Sequence, residues 1–174
     1  MRILIVGAGS IGKRHLKNLS DLGVKEQDLF VVDPDITRHQ EVRQILPQVR
    51  TFTDLDKFLQ YEPIDAALIC VPTHLHTKAA LDLAHLGIPL FIEKPLSHSL
   101  VGIDQFQYRL QESGGWACVG YSMRFHPAIK RIKELVESRV IGDPLYIRAE
   151  VGQYLPDWHP GEDYCKWYMS KKEQ

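Results

Sequence analysis

Short apolar runs alternate with segments of helical period along the first two thirds of the chain. The first run, Ile3 to Val6, leads into a stretch where Ile11, His15, Leu19 and Leu22 fall near one face. This pattern predicts a strand and then a helix from about Ser10 to Leu22, ended by Gly23. Leu29 to Val32 reads as the next strand, and Ile36, Val42, Ile45 and Leu46 as a helix stopped by Pro47. Val49 to Phe52 and Asp54 to Leu59 continue the alternation. Ala66 to Val71 has no polar interruption, as expected of a central strand covered on both faces. Leu75, Ala79, Leu83 and Leu86 then trace a helix with Gly87 at its end. Ile88 to Ile92 and Trp116 to Gly120 are strand-like, and they flank a helical pattern carrying Leu100, Ile103, Phe106 and Leu110.

Parallel neighbours need crossover connections, so this alternation predicts an α/β fold: a Rossmann-type, doubly wound parallel sheet with helices on both faces. From about Tyr121 the pattern changes. Pro127 opens a helical segment with Ile129, Ile132, Leu135 and Val136, and Gly142-Asp143-Pro144 reads as a turn. Leu145, Ile147, Ala149 and Val151 alternate with Tyr146, Arg148 and Glu150, which predicts a strand covered on one face, an exposed edge prone to pair. Too little chain follows to complete an antiparallel sheet. The expected organisation is therefore a nucleotide-binding domain over residues 1–121 and the start of an α+β domain over 122–174.

The chemistry concentrates where strands end. Gly7-x-Gly9-x-x-Gly12 follows the first strand and opens the first helix. In that context Gly7 permits a tight turn, Gly9 lets the backbone approach a pyrophosphate, and Gly12 lets the helix sit close to the strand. Asp33 ends the second apolar run about 20 residues on, where a carboxylate can accept hydrogen bonds from an adenosine ribose. Strand, glycines, helix and acid together point to a bound dinucleotide.

Charge and composition narrow the remaining classes. The formal net charge of −1 on 174 residues offers no field for nucleic acid or an anionic membrane, and no apolar run approaches a membrane span. The N-terminus reads as a strand, without the pattern of a secretion signal, and Cys70, Cys118 and Cys165 are odd in number with no Cys-x-x-Cys. These features fit free thiols in a reducing, cytoplasmic setting, with Cys70 and Cys118 as small buried hydrophobes. His74-x-His76 lacks a third residue at metal-ligand spacing, so no metal site is expected.

Further motifs stand at Val71-Pro72-Thr73-His74-Leu75-His76, at Glu93-Lys94-Pro95-Leu96, and at Gly120-Tyr121-Ser122-Met123-Arg124-Phe125-His126-Pro127. With the glycine motif they closely resemble the glucose-fructose oxidoreductase and inositol dehydrogenase family (Gfo/Idh/MocA type), over essentially the whole chain. The resemblance implies an NAD(P)-dependent oxidoreductase acting on hydroxyls of sugars or cyclitols. By that likeness Gly7, Gly9, Ser10, Ile11 and Gly12 hold the pyrophosphate and Asp33 the ribose. Pro72, Thr73 and His76 line the nucleotide cleft, Glu93 and Lys94 lie near the nicotinamide, and Arg124 tilts towards cofactor contact. An ammonium at Lys94 can stabilise negative charge on a substrate oxygen as a hydroxyl becomes a carbonyl. The resemblance also implies a cis bond between Lys94 and Pro95. Such relatives usually supply the acid–base group as a histidine in an Asp-x-x-x-His segment of the second domain, and none follows Tyr121 here.

Asp33 suits the free hydroxyls of NAD better than the 2′-phosphate of NADP. The expected partners are thus NAD, less so NADP, and a polyhydroxylated small molecule, with a homo-oligomer through the second domain also compatible. Two other classes stay open: a nucleotide-binding or regulatory module without catalysis, and a reductase of a non-sugar substrate such as a tetrapyrrole. The aromatics around Trp158-His159-Pro160 and Tyr164-x-x-Trp167-Tyr168 could stack on a sugar, cover the cleft, or be surface left bare by a missing domain. A chain stopping early in its second domain should bind NAD(H) but turn over poorly.

Overall fold

The computed structural model describes residues 1–152, 154–158, 163 and 165. Six parallel strands make one sheet: β1 (Ile3–Val6), β2 (Leu29–Val32), β3 (Arg50–Phe52), β4 (Ala66–Ile69), β5 (Leu90–Ile92) and β6 (Ala117–Val119), in the order β3-β2-β1-β4-β5-β6. The order reverses at β1, and each strand is reached through a crossover, as a Rossmann-type fold requires. The intervening helices are α1 (Ser10–Asp21), α2 (Ile36–Ile45), α3 (Leu55–Tyr61), α4 (His76–Ala84) and α5 (Ile103–Ser113). The elements fall where the hydrophobic period predicts them, most of them shortened by a residue or two at the ends, while α3 runs on to Tyr61 and α5 to Ser113. Leu100 is an exception, lying ahead of α5 and largely exposed.

The central strands share their side chains between two cores. Leu4, Val6, Phe30, Val32, Ala67, Ile69, Leu90 and Ile92 pack with Phe58, Leu83 and Phe106 on one face. Ile3, Ile5, Leu29 and Val31 pack with Leu16, Val42, Leu46 and Cys70 on the other. Every residue of β1 is buried, at about 1.5–3 kcal/mol per side chain, so the central strand is a main source of cohesion.

The register matters most for function. Val32, Val6, Ile69, Ile92 and Val119 stand side by side across the sheet, each paired with the next. The residues that follow them, Asp33, Gly7, Cys70, Glu93 and Gly120, therefore form one row along the carboxyl edge. Backbone hydrogen bonds extend the ladder into that row, from Gly7 N to Val32 O (2.8 Å), Cys70 N to Val6 O (2.8 Å) and Glu93 N to Ile69 O (3.0 Å).

The chain divides into two compact units, Met1–Gly120 and Tyr121–Gln174. In the second, a short 3-10 turn (Ser122–Phe125) precedes α6 (Pro127–Glu137), and α7 (Leu155–Trp158) follows. Pro127 begins α6, where a missing N–H costs nothing, and His126 caps it by accepting Ala128 N at 3.2 Å. The strand expected at Leu145 to Val151 does not form. Leu145 is 99% and Val151 102% exposed, and among the described residues the segment has no neighbouring strand to take its backbone hydrogen bonds. A second correction concerns Cys118, which is exposed because β6 is the outermost strand of the sheet. Cys70 is buried as expected. Among the described residues no helix is long and apolar enough to cross a membrane. The aromatic run beyond Trp158 lies outside the described residues.

Candidate functional site

The loop from β1 into α1 is built by its glycines. Gly7 has φ +98°, and a Cβ there would stand 2.7 Å from the carbonyl oxygen of Cys70. A Cβ on Gly12 would stand 2.0 Å from the carbonyl oxygen of Gly7, so the first turn of α1 can press on the loop only without a side chain. Gly9 differs: a Cβ there would meet nothing within 4 Å among the described residues. Gly9 is the N-cap of α1 and no side chain caps that end, so the first-turn N–H groups at Ser10, Ile11 and Gly12 have no helical acceptor. An open space beside unpaired N–H groups at the positive end of a helix suits an anion, and it fits the pyrophosphate of a dinucleotide.

Asp33 stands next to this loop and is only 2% exposed. Its Oδ2 accepts Ala8 N at 2.7 Å and Arg38 Nη1 at 3.0 Å, and its Oδ1 accepts Asp35 N at 2.9 Å. A carboxylate has about four acceptor positions, so three are taken and one remains for an added hydroxyl. Asp33 thus ties the glycine loop to β2, a role beyond the ribose contact expected of it. His39 adds a buried contact to the Asp33 carbonyl at 2.7 Å.

At the end of β4, Pro72 is exposed and Thr73 half-buried on a short 3-10 turn (Thr73–Leu75) leading into α4. His76 does not present its ring to the cleft. It is 1% exposed, with Nδ1 2.8 Å from Pro95 O and Nε2 2.8 Å from Val71 O. Both nitrogens face backbone carbonyls, to one of which a neutral ring can donate, and His76 supports the wall from behind. Among the described residues no cluster of three or more His, Cys, Asp or Glu could hold a metal ion.

After β5, the Lys94–Pro95 bond is cis. Lys94 is exposed, and among the described residues its ammonium has no hydrogen-bond or ion-pair partner. Glu93 is held instead: its Oε1 lies 2.7 Å from His15 Nε2, and its Oε2 accepts Lys94 N at 3.2 Å. The His15 ring also meets Phe91 edge-on, with centroids 5.1 Å apart. His15 is the residue that sequence reasoning missed. It is one member of the inward face of α1, and its spacing to Glu93 carries no signal until β1 and β5 are brought together on either side of β4. Arg124 lies exposed on the 3-10 turn of the second unit.

Burial, and to a lesser degree the Glu93 charge, push the Cys70 thiol up to about 12. It is therefore inert packing beneath the glycine loop, with no part as a nucleophile.

Comparison with known proteins agrees with this geometry. A family model described as the Gfo/Idh/MocA oxidoreductase family, NAD-binding Rossmann fold, matches residues 1–121. The chain is 29% identical over 167 residues to a myo-inositol 2-dehydrogenase of Thermotoga maritima, covering 95% of this chain and 48% of that one. It is 30% identical over 149 residues to a scyllo-inositol 2-dehydrogenase (NAD(+)) of Bacillus subtilis, covering 86% and 44%. Among solved structures, scyllo-inositol dehydrogenase of Lactobacillus casei, with bound NAD(H) and scyllo-inositol, superposes with a TM-score of 0.71 at 26% identity. That match covers 82% of this chain and 42% of the other. The chain thus spans about half the length of the relatives it matches. With a family match over most of its length and the glycine loop, acid and Glu-Lys-Pro turn on one sheet edge, the chain belongs to the Gfo/Idh/MocA family of NAD-binding oxidoreductases.

Proposed function

We propose that the chain is the nucleotide-binding half of an NAD(P)-dependent dehydrogenase that moves a hydride between the nicotinamide and an alcohol of a cyclitol or sugar-like polyol. The observation that carries this reading is the placement of Gly9 and Lys94. An open anion cradle and an ammonium without a partner among the described residues follow β1 and β5, the two strands that flank β4. The names of the inositol dehydrogenases among its relatives support the substrate class.

In this reading the N–H groups of Ser10, Ile11 and Gly12, with the open backbone at Gly9, hold the pyrophosphate. The remaining acceptor position of Asp33 takes an adenosine ribose hydroxyl. Pro72 and Thr73 border the nicotinamide end, and Arg124 is a further cofactor contact. The nicotinamide supplies the hydride carrier. Lys94 stabilises charge on the substrate oxygen, and Glu93 fixes the turn that bears it. Residues 122–174 are the start of the substrate and oligomerisation domain. The acid–base group that takes the hydroxyl proton is expected beyond the Rossmann domain, and such a group contributes about 10²–10⁴-fold. NAD is the favoured cofactor, and the cytoplasm the expected location.

Titration calorimetry with NADH tests the first half of this reading: the 174-residue chain should bind. Absorbance at the NADH band with NAD+ and myo- or scyllo-inositol tests the second, and turnover by the chain alone should be very low. Failure to bind NADH overturns the nucleotide assignment. Robust turnover that disappears in Lys94→Ala overturns the view that this is only half of a site.

A further inference from the structure

The residues on either side of Lys94 are each held by a histidine from a different helix. Before it in the chain, the Glu93 carboxylate meets His15 Nε2 at 2.7 Å, from α1. After it, the Pro95 carbonyl meets His76 Nδ1 at 2.8 Å, from α4. The second nitrogen of His76 is 2.8 Å from Val71 O, at the end of the neighbouring strand β4. Lys94 itself reaches out with its ammonium unpartnered among the described residues. Restraint on both neighbours and freedom in the middle is the arrangement of a side chain kept available for something not yet bound.

We infer that His15 and His76 are a pair of positioning residues that clamp the Lys94 turn from both sides. The inference rests on the proposed role of Lys94 at the nicotinamide.

The two histidines do different work. His15 is partly exposed, with a side-chain exposure of 20%, and it sits on the helix whose first turn forms the anion cradle. Its contact with Glu93 therefore couples the nucleotide-binding helix to the turn that carries the ammonium. His76 is fully buried and fastens that turn to the end of β4. Carbonyl oxygens only accept, so each contact of His76 is a hydrogen bond when the facing nitrogen carries its proton, and a neutral ring can donate to only one of them.

A glutamine in place of His15 retains an N–H donor that can reach Glu93, whereas leucine fills similar space without one. At position 76 glutamine keeps an amide donor, and leucine has none for either carbonyl. These substitutions separate a positioning role from bulk packing.

The test follows Lys94 directly in the 174-residue chain, labelled with carbon-13 lysine, its NMR signal assigned by its loss in Lys94→Arg. In the parent, saturating NADH should shift that signal. In His15→Leu the shift should fall to about a third or less while NADH affinity stays within about threefold, and His15→Gln should restore it. His76→Gln should retain more of the shift than His76→Leu. Should His76→Leu fail to fold, the His15 pair decides the outcome, since that side chain is partly exposed. A full Lys94 shift in His15→Leu, or no recovery in His15→Gln, overturns the clamp. A parent signal indifferent to bound NADH overturns the reading of Lys94 at the nicotinamide, and the clamp falls with it.

Discussion

Gly9→Ala and Gly12→Ala are chemically the same change three residues apart, and the structure predicts opposite consequences. At Gly12 the new Cβ would stand 2.0 Å from the Gly7 carbonyl oxygen, whereas ordinary contacts begin at 3.4 Å, and the obstacle is backbone. Overpacking costs about 1–3 kcal/mol, and a clash that cannot be relieved by rotating a side chain belongs at the upper end. At roughly 2–4 °C per kcal/mol for a chain of this size, Gly12→Ala should lower the melting temperature by about 6–12 °C. At Gly9 the backbone is at φ −66° and ψ −174°, a conformation alanine adopts freely, and the added methyl meets nothing within 4 Å. The stabilisation that comes from lower entropy in the unfolded chain, about 0.4–1 kcal/mol, is offset by the poorer N-cap preference of alanine, so stability should change by less than about 1 kcal/mol. The methyl nevertheless fills the space through which an anion would approach the helix. NADH affinity should therefore fall at least about tenfold, or 1.4 kcal/mol. Thermal melts followed by dye fluorescence, together with NADH calorimetry on both variants, separate the two effects. Parent-like NADH affinity in Gly9→Ala refutes the cradle, and equal destabilisation by both substitutions refutes the steric argument.

Two further predictions concern charge and thiols. The chain should bind NADH more tightly than NADPH. Arg38→Ala, which removes the cation 3.0 Å from Asp33, should widen the gap by about tenfold, and Asp33→Ala should narrow it while weakening both ligands, because Ala8 N loses its acceptor. Calorimetry showing NADPH the tighter ligand refutes this. At pH 8 a thiol reagent should modify Cys118 and leave Cys70 untouched until the protein unfolds. The Cys70 thiol is pushed up from 9.0 to about 12, so its contribution is fully present below pH 9 and is lost as pH rises towards 12. Melts of the parent should fall relative to Cys70→Ala over that window, by about 1.4 kcal/mol for each pH unit. A constant difference between the two proteins sinks the assignment.

Local sequence pattern shows which side of an element is apolar, and the tertiary fold decides what lies against that side. Where a covering layer is implied by the pattern itself, prediction succeeds. The uninterrupted run at Ala66 to Ile69 demands cover on both faces and lies between β1 and β5. Gly7 and Gly12 are legible because their lack of a side chain answers a contact made within the same strand–turn–helix unit. Where cover depends on a distant element, the pattern misleads. The run around Cys118 reads as a buried strand, but β6 ends the sheet, and the thiol is exposed. Leu145 to Val151 alternates as a half-covered strand should, yet alternation supplies no neighbour, and without one its backbone gains nothing by becoming extended.

The two histidines likewise answer to distant elements. His15 and Glu93 are 78 residues apart, and His76 and Pro95 are 19, so no window of sequence contains either contact. Periodicity places His15 on the inward face of α1, where an apolar residue would satisfy the pattern equally well, and the family resemblance puts His76 at the nucleotide cleft. What distinguishes them is polar demand on the opposite side. A half-buried carboxylate faces α1, and two carbonyls from the ends of neighbouring strands face α4. Burying such groups unpaired costs about 1–3 kcal/mol each, so an apolar side chain at either position would satisfy the helix and penalise the turn. The polar residue on an apolar face is thus explained by the turn it serves, and that turn carries Lys94.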